Sequence, residues 1–515
     1  MLTAFSLSYL SPLVLLAAAA LAIGRPGRRP GTLPVWSERA ALASLALAAL
    51  GLVQFAVTGA PGAGPLGLGA DLVSLTLALL VSFIGWIVMR YSRTYLDGEA
   101  REGAFHGLML ATLAAVLVFV QSAHVWLLAL ATIAVGLGLR QLLLFYAERP
   151  EARRAATKFT LVWHGGDVAL VLAAVLLTLA FGTGDLSAIA AGASASGAGL
   201  AGHAAVALLV VAAILKTASF PLHGWLTEVM EAPTPVSALL HAGIINSGGV
   251  LLIKAASLVQ LSPGAMAALV MIGGFTALFG AAVMLTQSAI KTSLAWSTVS
   301  QMGFMLVQCG LGLWALALLH ILAHSLYKAH AFLSSGGAVA AVASIRRPGP
   351  VAVPSLRTVL KSFGLALALY AAIAVVFTAI LGPKTPQALA LGAILIFGVA
   401  YLVAQGLADL APAALTKRTA AASLATAVAY FSFQAAAHKI WGPGLPAAPH
   451  PGPLEWALIV LALVSFGLVA LAQSLFPLWA HHPATAGLRV HLANGLYLNA
   501  LLDRAIGGFR TAKSS

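Results

Sequence analysis

His320, His324 and Lys328 recur at i, i+4 and i+8 within one apolar stretch of the chain. On an α-helix this spacing puts all three on one face, in steps of about 6 Å. Imidazole titrates near neutrality and a lysine withdrawn from water moves down toward it. A file of His, Lys and water can therefore pass protons with small free-energy steps. Two histidines at i, i+4 can also hold a metal or an axial haem, although the lysine that continues the stripe would repel the cation. They can equally be satisfied core histidines with no part in transport.

A second candidate lies in Leu215-Lys216-Thr217-Ala218-Ser219-Phe220-Pro221. Lys216 closes an apolar run, and Pro221, five residues on, strips a hydrogen bond from any helix that tries to continue. An ionisable group at membrane depth is costly, so it persists where it faces a polar interior, finds a partner or does work. The alternative is that Lys216 snorkels to a nearby interface. His241 follows early in the next apolar segment. Lys291 opens a later one, where it either joins the file or anchors the interface.

These groups need a membrane scaffold, and the composition supplies one. Of 515 residues, 61% are hydrophobic and only 8% charged, with a mean hydropathy of +0.98. That composition excludes a soluble domain of this length and predicts an all-α polytopic membrane protein. A net charge of +14 would suggest nucleic acid in a soluble protein, but here the charge follows topology. One cysteine, Cys309, excludes a disulfide framework or a cysteine-ligated cluster carried by this chain alone. No dinucleotide fingerprint, phosphate loop or zinc-type Cys/His spacing occurs. The opening stretch to Ile23 lacks a basic leader and reads as a first span rather than a cleaved signal.

Apolar runs able to cross about 30 Å of hydrocarbon number about fifteen, among them 159–182, 203–220, 236–259, 290–312 and 314–343. Alternating the loops sorts the basic residues. One side collects Arg25, Arg28, Arg29 and Arg39, Arg90 to Arg101, Arg140 to Lys158, Lys291, Arg346 to Lys361, Lys417, Arg418, and Arg489 to Lys513. The other keeps Lys254, Lys384 and Lys439, and Lys216 and Lys328 stay inside the membrane. By the positive-inside rule the N-terminus is expected outside and the C-terminus in the cytoplasm. Residues 1–103 form N-terminal helices. Segments 104–259 and 263–408 hold five spans each, an odd number that makes them inverted repeats, a recurring transporter plan. Residues 409–515 add C-terminal helices and a tail in which Arg489, Arg504 and Arg510 flank Leu492, Leu496, Leu498, Leu501 and Leu502, an amphipathic pattern suited to the membrane surface or a partner. The tail, Phe220–Pro235 and Arg149–Lys158 are candidate docking loops.

The strings Pro233-Thr234-Pro235-Val236-Ser237-Ala238-Leu239-Leu240-His241 and Ile290-Lys291 through Ser297-Thr298, Ser300-Gln301 and Gly303 resemble the antiporter-like membrane subunits shared by respiratory complex I and Mrp-type Na+/H+ antiporters, in the branch of complex I subunit L. The similarity runs from about Asp71 to Val339, and Asn494 to Asp503 resembles that branch's last characteristic segment. The resemblance implies that Lys216 is the central pump lysine, that Pro221 lies at a broken seventh helix, and that His241, Lys291, His320, His324 and Lys328 are connecting polar residues. Asp71 and Asp167 fall where the branch also carries aspartates.

Departures from the family pattern shape the expectation. Where family pumps carry a fifth-span glutamate paired to the central lysine, this chain has Ile133, and no acid lies between Glu102 and Glu148. The arginine of the family's Arg-x-Gly-Asp string is His164. The lysine of a broken twelfth helix has no clear match, with only Lys361 and Lys384 nearby. Lysine that loses its carboxylate must shift or pair elsewhere, which nominates Asp167 as its partner.

These departures resemble the membrane subunits of the DAB inorganic-carbon accumulation complexes, as does Ser122-Ala123-His124-Val125-Trp126-Leu127. That resemblance implies a heterodimer in a bacterial inner membrane with a large cytoplasmic, DabA-like subunit similar to zinc β-carbonic anhydrases. The chain itself would be no enzyme and hold no cofactor, with zinc expected in the partner. Its H+ or Na+ flow would drive CO2 hydration to bicarbonate there. The alternative is a proton-pumping or Na+/H+ antiporter-type subunit of a complex I-like or Mrp-like assembly, and a structural anchor with a degenerate channel is a third. None of these readings involves nucleic acid.

Overall fold

Long apolar runs broken by Pro, Gly and short polar loops fold into helix after helix. The computed structural model describes residues 5–59, 64–337, 356–408, 413–475, 479 and 482–506. In chain order the helices are α1 (Ser11–Ile23), α2 (Leu33–Thr58), α3 (Leu72–Tyr95), α4 (Glu102–Gln121), α5 (Val125–Leu143), α6 (Pro150–Phe181), α7 (Leu186–Ser196), α8 (Gly199–Lys216), α9 (Gly224–Thr227), α10 (Thr234–Ala242), α11 (Ser247–Lys254), α12 (Ala256–Gln260), α13 (Pro263–Met284), α14 (Ile290–Gly310) and α15 (Trp314–Leu333). Then come α16 (Leu356–Leu381), α17 (Pro386–Ala408), α18 (Ala413–Trp441), α19 (Pro453–Ser474), α20 (Ala486–Ala493) and α21 (Leu498–Ala505). Starts and stops follow local chemistry. Asp71 caps α3 by accepting from the Ser74 amide at 2.8 Å, proline opens α6 and α13, and Gly182 at φ +67° ends α6.

Among the described residues eleven helices are long and apolar enough to cross a membrane, counting α10 and α11 as one. α1, α14, α17 and α18 occupy the positions of the remaining expected spans. α14 is more polar because it carries Lys291, Ser297, Thr298 and Gln301. α6 begins at Pro150, a turn or more before the apolar run that reveals it, and α7 is a short additional helix.

The loops sort onto two faces. On one, Arg29 meets Asp97, Arg93 meets Glu38, Arg149 meets Glu231 and Lys158 meets Glu228. The Tyr146 phenol, half-buried beside Glu99, is pushed up to about 12 there by partial burial and by the Glu99 carboxylate. On the other face Ala123 pairs with Gly67, Val125 with Gly184, and Gln260 with Ala447 and Trp314. Lys254 lies there, donating to Ser74 Oγ and the Ser122 carbonyl. The basic loops from Arg29 to Lys158 thus share one end of the bundle. Arg346, Arg347, Arg510, Lys513 and the end of the 314–343 span lie outside the described residues.

Two breaks matter for the site. α8 stops at Lys216, Ala218 turns at φ +49°, and a short α9 follows. The eighth span is also interrupted: Gly243 leaves helical geometry and Ile244–Asn246 form a single tight turn before α11. α13 and α14 pack closely, because a Cβ on Gly303 would lie 2.4 Å from the Ala277 amide and one on Gly273 2.7 Å from the Gly303 carbonyl.

The tail lies against the chain's own broken helix. Asp503 reaches Lys158 at 2.7 Å, Asn499 donates to Thr227, and Gln287 donates to the Ala493 carbonyl. Within Phe220–Pro235, His223, Trp225 and Leu226 are buried, so much of this candidate docking loop is already covered. Leu488 and Leu501 on the tail remain exposed.

Candidate functional site

Lys216 is the last residue of α8, and its side chain is fully buried against α6. It passes over Gly166, where a Cβ would sit at ordinary contact distance, 3.4 Å from Lys216 Cγ and Cε. The ammonium donates to Asp167 Oδ1 at 2.6 Å, and His164 Nδ1 meets Asp167 Oδ2 at 2.8 Å. The ammonium also lies 4.1 Å from the centre of the Trp163 ring, a cation–π contact. Trp163 is seated by Gly136, where a Cβ would fall 2.5 Å from the indole, and by its Nε1 donating to the Thr132 carbonyl. α6 thus supplies both the carboxylate and the ring that face Lys216. Ile133 is half-buried on α5.

A second cluster joins α10, α14 and α15. Lys328, fully buried, donates to the Leu294 carbonyl at 2.9 Å. The Thr298 hydroxyl points at the same carbonyl at 3.0 Å and meets His241 Nδ1 at 3.1 Å. A hydroxyl has one proton. With it directed at Leu294, His241 Nδ1 carries a hydrogen and Nε2 keeps its lone pair. That Nε2 is buried without a hydrogen-bond partner, and the ring stacks on Phe332 at 4.2 Å. The break at Gly243 turns the His241 carbonyl to His324, whose Nε2 donates to it at 3.0 Å. His324 Nδ1 contacts the Gln301 side chain, and Gln301 reaches Ser297 Oγ at 3.3 Å. His320 follows, its ring centroid 6.0 Å from that of His324, beside a cavity of about 530 Å³ lined also by Gln301, Gln308 and Tyr430.

The structure therefore gathers His241, His324 and Lys328 into one hydrogen-bonded set and Lys216, Asp167 and His164 into another. Hydrogen bonds of the described residues do not join the two sets. Lys291, half-buried at the start of α14, donates to Thr234 at 3.2 Å and lies beside Tyr91 and Tyr95 near the basic face. Pro221 lies between α8 and α9. From Ala232 to Ala408 the sequence contains no Asp or Glu, so the second set is built of bases and neutral groups. Among the described residues no three His, Cys, Asp or Glu side chains converge on a metal-ligating group.

Trp163, Thr298 and Gln301 were missed as site residues. Thr298 and Gln301 belong to the Ser-Thr and Ser-Gln pairs of the α14 string, and Trp163 precedes His164. Their types are as common in cores as in sites, so only the fold singles them out.

Residues 122–407 match the family model described as NADH:quinone oxidoreductase/Mrp antiporter, TM. The chain is 38% identical over 454 residues to a protein of Halothiobacillus neapolitanus named probable inorganic carbon transporter subunit DabB2, covering 86% of this chain and 81% of the relative. It is 45% identical over 273 residues to probable inorganic carbon transporter subunit DabB of Hydrogenovibrio crunogenus, where the match spans about half of each protein, 53% of this chain and 53% of the relative. Subunit L of the NADH-quinone oxidoreductase of Mycobacterium tuberculosis is 33% identical over 84% of this chain and 69% of its own length. In shape the chain resembles a solved Mrp complex from a Dietzia species, at a TM-score of 0.62 and 23% identity, over 97% of this chain and 59% of that one.

Proposed function

Since this chain belongs to the NADH:quinone oxidoreductase/Mrp antiporter membrane family, we propose that it is a cation-conducting coupling subunit of an inorganic-carbon uptake complex. H+ or Na+ moving through it energises a large cytoplasmic, zinc-dependent partner similar to β-carbonic anhydrases, which hydrates CO2 vectorially to bicarbonate. Catalysis and zinc belong to that partner, and this chain is no enzyme. The basic face is the cytoplasmic side of a bacterial inner membrane, with the N-terminus outside and the C-terminus inside. Segments 104–259 and 263–408 act as inverted repeats around the broken helices.

The observation that carries this reading is the Lys216–Asp167 pair at 2.6 Å, with Ile133 in place of a fifth-span acid. A buried lysine held by a carboxylate on α6 and by Trp163 keeps a charge ready inside the bundle, and His241 Nε2 offers a free lone pair to receive a proton. When Lys216 releases its proton, Asp167 keeps His164 as a partner, so the carboxylate is not stranded. Water must bridge the space between the two sets, which makes hydration the natural point of control. The similarity to subunit L favours a second reading, a proton-pumping or Na+/H+ antiporter-type subunit of a complex I-like or Mrp-like assembly.

Purification from native membranes in mild detergent, followed by mass and zinc analysis of what travels with the chain, separates the two. One large soluble zinc protein supports the first reading, and redox subunits or small Mrp-type membrane proteins support the second. If Lys216→Ala retains full cation-driven carbon uptake, neither holds and the chain is an anchor.

A further inference from the structure

Gln301 is the side chain in direct contact with His324 Nδ1, and it must change its hydrogen-bonding sense when His324 changes charge. His324 Nε2 faces the backbone carbonyl of His241 at 3.0 Å, and a carbonyl can only accept, so Nε2 carries a hydrogen in every state. All proton exchange at this ring is left to Nδ1, which faces the Gln301 amide. When His324 is neutral, Nδ1 is an acceptor and Gln301 must present its NH2. When His324 is charged, Nδ1 donates and Gln301 must present its oxygen. Ser297 Oγ, at 3.3 Å from the other end of the amide, can accept from the NH2 or donate to the oxygen, so both orientations are satisfied.

We propose that Gln301 is a positioning residue that flips its amide by a half-turn each time His324 takes up or releases a proton, and so sets the pH at which His324 works. This rests on the reading that His324 carries protons during transport. The charged and titratable groups facing His324 are few. They are His320, Tyr327 and Lys328 on its own helix, His241 on α10, and Tyr430 of α18; Tyr327 and Tyr430 line the same cavity as His320 and His324. α10, α11, α14 and α15 carry no carboxylate, so no fixed anion competes with Gln301 for control of the ring. A hydrocarbon side chain here would leave Nδ1 without a partner. A carboxylate would accept only, and would lock the ring in its charged state.

The test uses the full chain in the complex with which it purifies, in vesicles, with cation-driven uptake measured against pH. A carboxylate at hydrogen-bond distance favours a charged imidazole by about 1–3 pH units. Gln301→Glu is therefore expected to move the midpoint of the profile up by about one unit or more, and Gln301→Leu to move it down. 15N spectra of histidine-labelled protein, with the His324 signal identified by its loss in His324→Gln, are expected to shift in the same two directions. Should Gln301→Leu fail to insert, the near-isosteric Gln301→Glu decides alone. An unmoved midpoint and an unmoved His324 signal, while His324→Ala still abolishes uptake, would overturn the role of Gln301. Full uptake in His324→Ala would instead remove the reading beneath it.

Discussion

Asp167 is shared: one oxygen holds Lys216 and the other His164. Removing one partner of a buried pair strands the other, at a cost of about 3–5 kcal/mol, whereas replacing both by apolar groups is often neutral. Asp167→Asn is expected to lower thermal stability by that order and transport at least about tenfold. The double variant Lys216→Met, Asp167→Leu is expected to recover most of the stability and none of the transport. Thermal unfolding of the detergent-solubilised complex alongside vesicle uptake checks both. Unchanged transport in Asp167→Asn would show that another acid serves Lys216. The His241 Nε2 lone pair makes a further residue-scale expectation. His241→Gln can reproduce the bond to Thr298 but cannot carry a proton, so it is expected to fold normally and lose transport.

Close contacts between helices set the positions from which these polar bonds are made. Gly303 sits between α13 and α14, where a Cβ would fall 2.4 Å from the Ala277 amide and 2.6 Å from the Gly273 carbonyl. Overpacking costs about 1–3 kcal/mol, and relief by separation would move Thr298 and Gln301 on α14. Gly303→Leu is expected to abolish uptake although it removes no polar group. Gly264→Ala, which meets nothing within 4 Å, is expected to be silent. Element positions were legible in the sequence because a membrane span is a long apolar run, and the stop of α8 at Lys216 because proline follows it. The break at Gly243 was not legible: Ala242 to Val250 contains no proline, and Asn246 and Ser247 are its only polar residues in an otherwise apolar and glycine-rich run, while a helix can break wherever polar side chains take up the freed carbonyls. His324 and Asn246 do so here, from α15 and from the turn itself. For the same reason periodicity could place His320, His324 and Lys328 on one face but could not show that His241 joins them through its backbone.

At the scale of the whole molecule, the tail closes the basic face over the broken helix. Lys158 is fully buried between Glu228 and Asp503, and a Cβ on Gly495 would lie 3.2 Å from the Trp296 ring. Truncation after Pro483 is expected to raise amide exchange across Phe220–Glu231 and to slow uptake. Hydrogen-exchange mass spectrometry checks this, and unchanged protection would show that the tail serves only a partner. Orientation is open to test because the native thiol, Cys309, is fully buried. In a Cys309→Ser background an impermeant thiol reagent is expected to reach Ser187→Cys in intact cells, and Glu148→Cys only after permeabilisation.

The acid-free stretch from Ala232 to Ala408 bears on which ion is carried. Sodium is a hard cation that leaves its hydration shell only for oxygen ligands, and most readily for charged ones. The only membrane carboxylate in the described site, Asp167, is already engaged by Lys216 and His164. The second cluster offers imidazole nitrogens, which exchange H+ readily and are poor ligands for a hard cation, and an ammonium, which repels it, while its Leu294 and His241 carbonyls are already engaged by Lys328 and His324. Uptake is therefore expected to persist when Na+ is replaced by choline and to collapse with a protonophore, and the selectivity lies in what this stretch of the chain lacks.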